Sequence, residues 1–283
     1  MDGIIIINKP KGYTSHDVVN KIRKIYNTKK VGHTGTLDPN AVGVLPILIG
    51  KATKLSEYLM EHDKTYVATI KLGEKRDTGD LEGKIIEIKS VPNYSDKTVQ
   101  NVLESFVGNQ IQTPPIYSAI KIKGKKLYEY AREGKEVEIP KREIQIYSIK
   151  LENINNEEIT FTVSCSKGTY IRSLCEDIAK KLGTVGYMKN LVRTQVDRFN
   201  INNSYTLEEI EKNFNKIKVI TIEELFIDKE RIILQPDKLQ LFLDGGRIKT
   251  NNLDDFIRVY DYQNKFIGTG IVNNGILKRN IIM

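Results

Sequence analysis

The chain has no tryptophan and only two cysteines, Cys165 and Cys175, among its 283 residues. One possible pair of thiols cannot build a disulfide framework, so both cysteines are expected to pack in the core. The three histidines, His16, His33 and His62, are too scattered to form a metal-ligand cluster. Long apolar runs are also missing. The longest aliphatic stretch near the N-terminus is Ile4 to Ile7, far short of a signal-peptide core or of the roughly 20 residues that cross a bilayer. These absences argue against a disulfide-stapled secreted scaffold, a zinc module and a membrane-spanning chain. A cytoplasmic protein is expected.

What remains is an ordinary globular composition, 40% hydrophobic and 28% charged. The length favours one large domain with a small companion. Lys and Arg number 44 against 36 Asp and Glu, a formal charge of +8, which suits a polyanionic partner. Local charge is sharper. Lys21, Arg23, Lys24, Lys29 and Lys30 fall between Asp17 and Asp38 with no acid among them. A second block, Lys121, Lys123, Lys125 and Lys126, is flanked by Tyr117, Tyr128 and Tyr130. Either block alone reads equally as a solvated face. Basic residues interleaved with aromatics also suit nucleic acid, because ammonium groups meet phosphates while rings stack on unpaired bases.

Along the chain, Gly3 to Ile7 reads as a buried strand, and Thr14 with Asp17 has capping-box spacing ahead of Val18, Val19, Ile22 and Ile25 at helical period. Val44 to Ile49 is another buried strand, Thr53 to Leu59 a short helix, and Tyr66, Ala68, Ile70 and Leu72 alternate as a half-buried strand. Ser95 caps a helix bearing Val99, Val102, Leu103 and Phe106. Strands follow at Ile144 to Ile146 and Ile159 to Val163, and Gly168 opens a helix with Ile171, Leu174, Cys175, Ile178, Ala179 and Leu182 on one face before Gly183. Such irregular mixing predicts an α+β protein built on a large mixed sheet with flanking helices. From about residue 231 the pattern changes to short strands around Gly245-Gly246, Phe256 to Tyr260 and Phe266 to Val272, a small β-rich module.

Three constellations could carry chemistry. Gly32-His-Thr-Gly-Thr-Leu-Asp38-Pro39 is a rigid loop around one carboxylate; it lacks the Gly-Lys-Ser/Thr ending of a phosphate-binding loop, and an Asp-Pro by itself is usually a turn. Ser166-Lys-Gly-Thr-Tyr170-Ile-Arg172 places Tyr170 and Arg172 on either side of apolar Ile171, with Arg172 a surface cation or a carboxylate partner. Lys64-Thr-Tyr66 opens a strand in which Tyr66 shares the parity of core residues.

Together these segments resemble the TruB family of tRNA pseudouridine synthases, as do Asn8-Lys9-Pro10-Lys11-Gly12, Thr113-Pro-Pro-Ile-Tyr-Ser-Ala119 and the C-terminal module, which is similar to a PUA domain. One departure is visible: Asp197 stands where the family usually has a glycine, four residues after Arg193. The resemblance implies a catalytic domain over residues 1–228, with an RNA-binding insertion at about 110–134, and a PUA-like domain over 231–283. It implies isomerisation of uridine to pseudouridine at position 55, in the T-loop of tRNA. Asp38 would be the catalytic carboxylate, Arg172 its partner, Tyr66 the ring packed on the target base and Tyr170 an aid to proton removal from C5. His33 would fill the place of the extruded base, and Lys9, Lys121, Lys123, Lys125, Lys126 and Arg193 would contact RNA. The reaction changes no oxidation state and loses no group, so no cofactor or metal is expected, nor any obligatory protein partner; the enzyme would act as a monomer on the T-stem-loop. Two other readings stay open: an RNA-folding chaperone for tRNA, and a guide-RNA-dependent subunit of the H/ACA type, which shares these motifs.

Overall fold

The computed structural model describes residues 1–283. β1 (Gly3–Lys9) is the aliphatic run, buried almost throughout. The capping box then forms: Asp17 N donates to Thr14 Oγ1 at 3.0 Å and Thr14 N to Asp17 Oδ2 at 2.9 Å, starting α1 (Ser15–Ile25) with Val18, Val19 and Ile22 inward. β2 (Val31–His33) and β3 (Val42–Ile49) bracket the Asp38 loop. Where one short helix was expected, a 3-10 turn (Gly50–Leu55) runs into α2 (Ser56–Met60). β4 (Lys64–Leu72) alternates as predicted, with Tyr66, Ala68, Ile70 and Leu72 buried. β5 (Glu74–Arg76) and β6 (Ile85–Ile88) make a separate ribbon, followed by α3 (Asp96–Glu104), capped by Ser95, and by β7 (Gly108–Gln112).

The chain then leaves the sheet until β10 (Arg142–Asn155). This excursion holds a hairpin, β8 (Lys121–Ile122) with β9 (Lys125–Lys126), and α4 (Leu127–Arg132). Its boundaries differ from the expected 110–134, because residues up to 112 still pair with β10 and the return comes only at 142. β11 (Glu158–Cys165) leads to α5 (Ile171–Lys181), which begins three residues after Gly168 because Tyr170 is its extended N-cap. β12 (Gly186–Val196) and β13 (Phe199–Asn200) complete the main sheet, whose order is β1-β3-β12-β4-β11-β10-β7, with β2 beside β3 and β13 beside β12.

Sequence periodicity does not reveal β12, which is nonetheless central. It runs antiparallel to β4 and, at Val192 and Arg193, parallel to β3, with register shifts at Met188/Asn190 and Arg193/Gln195 that break the two-residue alternation. The closeness of the β3 contact requires glycine at position 43, where φ is +109° and a Cβ would lie 2.2 Å from the Arg193 carbonyl oxygen. Helices α3 and α5 contribute to the core on one side of the sheet, with Phe161, Val163, Leu174 and Ile178 at its centre. Asp197, at the expected glycine position, has φ +50°, a left-handed conformation that aspartate tolerates better than most residues, and its carboxylate lies 3.2 Å from His62 Nδ1.

After α6 (Leu207–Asn213) and α7 (Ile222–Leu225), a second sheet has the order β14 (Arg231–Leu234), β16 (Phe256–Asp261), β17 (Phe266–Asn273), β18 (Ile276–Ile282), β15 (Ile248–Lys249). Its core gathers Leu234, Phe242, Val259, Val272 and Leu277. Gly245-Gly246 does not mark a strand; it ends α8 (Pro236–Leu243), with Gly245 at φ +87°. An aromatic joint holds this sheet to the first: Phe226 stacks on Phe256 at 5.1 Å, with Tyr58 4.6 Å from Phe256. No helix is long and apolar enough to cross a membrane.

Candidate active site

The Asp38 loop is fixed from several directions. Ser15 Oγ, at the start of α1, accepts from Leu37 N at 2.9 Å, and Ala41 N closes back on the Asp38 carbonyl at 3.1 Å. Gly12 N and Lys9 Nζ both donate to the Pro39 carbonyl, at 2.9 and 3.1 Å. Lys9 also donates to the carbonyls of Pro10 and Tyr13 and is fully enclosed. The expectation that Lys9 touches RNA is thereby corrected: its three donors are taken by backbone carbonyls, and burial lowers its pKa to about 8. It braces the loop from behind.

The loop presents Asp38 to the first turn of α5. Arg172 Nε lies 3.1 Å from Asp38 Oδ2 and Nη2 3.3 Å from Oδ1, a two-point grip on the carboxylate. The remaining donors reach the Thr78 carbonyl at 3.2 Å, Asp80 Oδ2 at 3.6 Å and the Tyr117 carbonyl at 3.0 Å. Arg172 is buried, whereas the Asp38 side chain keeps about a third of its surface open. Desolvation raises the Asp38 pKa; Arg172 and Lys9 oppose that rise and the neighbouring Asp80 adds to it. Asp80 carries no motif that sequence reading would select. The only signal is the acidic, glycine-containing run Asp77-Thr-Gly-Asp80, which looks like an ordinary turn.

Above the ion pair opens a cavity of about 540 Å³, within the range of small-ligand sites. Tyr66, Tyr170, Arg172 and Arg193 line it with Asp38, and so do Lys64 and, from the excursion, Tyr117, Ser118 and Tyr128. Burial raises the Tyr66 phenol, against the pull of Arg193. Arg193 is 1% exposed and donates to the carbonyls of Val44 and Gly35, at 2.8 and 3.2 Å. It is therefore a fixed cation in the pocket wall, not a surface phosphate ligand. Lys64, which the sequence marks only as the opening of the Tyr66 strand, is a second such cation; its Nζ donates to the carbonyls of Met60 and His62, and burial lowers its pKa to about 8.

The other expected residues lie outside this cavity. His33, on β2, is not among its lining residues; its Nδ1 is enclosed without a partner, and burial, Arg193 and His16 lower its pKa. Lys121 and Lys123 are exposed on the hairpin, Lys126 lies near the Tyr128 ring, and Lys125 is already paired with Glu133. A larger cavity of about 650 Å³ sits against β1 between Ile6, Phe199, Tyr205 and Ile220, and none of Asp38, Tyr66, Tyr170 or Arg172 reaches it.

The comparisons with known proteins agree with this geometry. Residues 23–171 match the model of the TruB family pseudouridylate synthase N-terminal domain, residues 172–232 that of the tRNA pseudouridylate synthase B C-terminal domain, and residues 231–279 that of the pseudouridine synthase II TruB C-terminal region. The chain belongs to the TruB family of pseudouridylate synthases. The tRNA pseudouridine synthase B of Caldanaerobacter subterraneus subsp. tengcongensis is 47% identical over 96% of this chain and 95% of its own length, and that of Hydrogenovibrio crunogenus is 44% identical over 95% and 89%. The fold matches that in an H/ACA ribonucleoprotein bound to a substrate RNA containing 2′-deoxyuridine (TM-score 0.73, 22% identity, 99% of this chain and 85% of that one). A Cbf5–Nop10–Gar1 complex matches equally well (TM-score 0.73, 24% identity, 99% and 85%). The family relationship agrees with the pseudouridine synthase fold expected from sequence, and within that fold the Arg172-paired carboxylate of Asp38, about a third of its surface open, is the candidate reacting group.

The electrostatics fix the sign of a pH effect. The Asp38 pKa is raised, so an activity that uses its carboxylate is expected to fall on acidification at a higher pH than for an ordinary carboxylate. Arg172→Met removes a stabilising cation and is expected to move the acid limb of kcat/KM to higher pH; Asp80→Asn removes a like charge and should move it lower. Superimposable acid limbs for the two variants would contradict this assignment.

Proposed function

We propose that this chain isomerises uridine to pseudouridine in tRNA, at the T-loop uridine of position 55, without cofactor or guide RNA. The observation that carries the reading is the carboxylate of Asp38, gripped at two points by Arg172 at the base of a cavity with an aromatic wall. The relatives at 47% and 44% identity are named tRNA pseudouridine synthase B, while the H/ACA structures share only 22–24%. This contrast favours a stand-alone tRNA enzyme over a guide-dependent subunit.

The reaction breaks the N1–C1′ bond, turns the uracil within the site and joins C5 to C1′; the proton on C5 leaves and N1 takes one up, so the product is an isomer. A carboxylate beside C1′ serves either as a nucleophile or as a base for the 2′ proton, and both routes begin from ionised Asp38. Arg172 keeps that charge in place through its two contacts with the carboxylate. Tyr66, a neutral phenol that burial keeps further from ionisation, is assigned to offering a flat face to the uracil. Tyr170, which lines the cavity at the start of α5, is assigned to assisting removal of the C5 proton. The target base must leave its stack, at a cost of a few kcal/mol, and His33, neutral and beside the Asp38 loop, is assigned to the vacated position.

The excursion over residues 113–141 is assigned to closure on the T-loop, with the exposed lysines of its hairpin on the phosphate backbone and the C-terminal sheet as a PUA-like module. Because Lys125 is paired with Glu133, the phosphate contacts fall mainly to Lys121 and Lys123.

Asp38→Asn is expected to abolish pseudouridine formation in a minimal T-stem-loop while leaving RNA binding within a few fold; turnover at a substantial fraction of the wild-type rate would overturn the mechanism. Each lysine that neutralises a phosphate releases counterions. Lys121→Ala with Lys123→Ala should therefore flatten the plot of log affinity against log salt by roughly one to two units, with each lost contact giving about 0.7 to 0.9. Lys125→Ala should change the slope less. Parallel lines of equal height for the double variant would sink the hairpin assignment.

A further inference from the structure

Helix α5 carries Tyr170 and Arg172 in its first turn, yet no side chain of its own caps that turn. A helix start left without partners would fray. Here a residue 58 positions upstream meets one of the open groups, the N–H of the N-cap residue Tyr170. Gln112, the last residue of β7, is 3% exposed, and its amide spans the Tyr170 backbone: Tyr170 N donates to Gln112 Oε1 at 2.8 Å, and Gln112 Nε2 donates to the Tyr170 carbonyl at 3.0 Å. Next along the chain, the Thr113 carbonyl accepts from Ser173 Oγ at 2.9 Å. Across the ladder Gln112 faces Arg142, whose guanidinium lies 5.8 Å from the centre of the Tyr170 ring. The β7–β10 pair thus grips Tyr170 twice, by the backbone through Gln112 and by the ring through Arg142.

From this we infer that Gln112 is a positioning residue for Tyr170: its amide sets the backbone from which the tyrosine reaches the substrate. The inference rests on the proposed role of Tyr170 in pseudouridine formation. A side-chain amide suits the task because it has a donor and an acceptor side by side, matching the N–H and C=O of one residue. Gln112 is also where the chain leaves the sheet for the excursion, and five residues later the Tyr117 carbonyl accepts from Arg172. The stem of the excursion therefore touches the backbone of one candidate catalytic residue and the side chain of the other.

Gln112→Met keeps the length of the side chain, fills the same space and removes both hydrogen bonds. With a T-stem-loop RNA, its single-turnover rate at saturating substrate should fall at least tenfold while RNA affinity stays within about threefold, since a misplaced reacting group costs rate more than binding. Gln112→Ala should show the same split with a lower Tm. The decisive comparison is a cycle with Tyr170→Phe: if Gln112 acts through the tyrosine, adding Gln112→Met to Tyr170→Phe should cost less than about threefold. Equal losses in both backgrounds, or a wild-type rate for Gln112→Met, would overturn the inference. Failure of the proposed function itself would show separately, as a wild-type protein that forms no pseudouridine in the T-stem-loop.

Discussion

One buried guanidinium organises this molecule. Removing the Arg172 charge from water costs several kcal/mol unless its donors are met, and the acceptors that meet them come from three distant parts of the chain. Asp38 comes from the β2–β3 loop, the Thr78 carbonyl and Asp80 from the β5–β6 loop, and the Tyr117 carbonyl from the excursion. Because each must be in place at once, assembling the Arg172 environment also assembles the pocket. The ion pair in turn keeps a largely desolvated carboxylate ionised at the one position where its charge is useful.

The pocket wall extends the same logic. Arg193 and Lys64 are enclosed cations whose donors go to backbone carbonyls and not to carboxylates, and Lys9 stands behind the loop in the same way. Burial opposes their charge, as the lysine pKa values near 8 show, yet all three are pinned by geometry. Held so, they cannot follow a phosphate across a surface. Lys9 favours the anion at Asp38, and Arg193 and Lys64 give the cavity a positive wall before substrate arrives.

Much of this was legible in the sequence because it is local. The Thr14–Asp17 capping box, the alternation of β4 and the apolar stripe of α5 follow from short-range rules, and the Gly32-to-Asp38 loop announces one rigidly held acid. What could not be read depends on contacts between distant segments. β12 hides because two register shifts break its alternation and because Arg193, facing inward, looks like a surface residue until the Val44 and Gly35 carbonyls appear beside it. Lys9, expected to contact RNA, is occupied once the Pro39 loop folds over it. Asp80 looks like part of a turn until Arg172 arrives. In the C-terminal sheet, the short strands expected around Gly245-Gly246 give way to the end of a helix, since Phe242 anchors α8 to a core that only the assembled strands create. At Asp197 the departure from the family pattern is accommodated locally: aspartate takes the left-handed conformation, with its carboxylate close to the His62 ring.

A stand-alone TruB enzyme produces a single chemical outcome at a single kind of nucleotide. Purified protein, incubated alone with an unmodified full-length tRNA transcript, should convert the T-loop uridine at position 55 to pseudouridine and leave the remaining uridines unchanged when every position is scored. Modification spread over other uridines, or none until a guide RNA or a second protein is added, would contradict the proposed function.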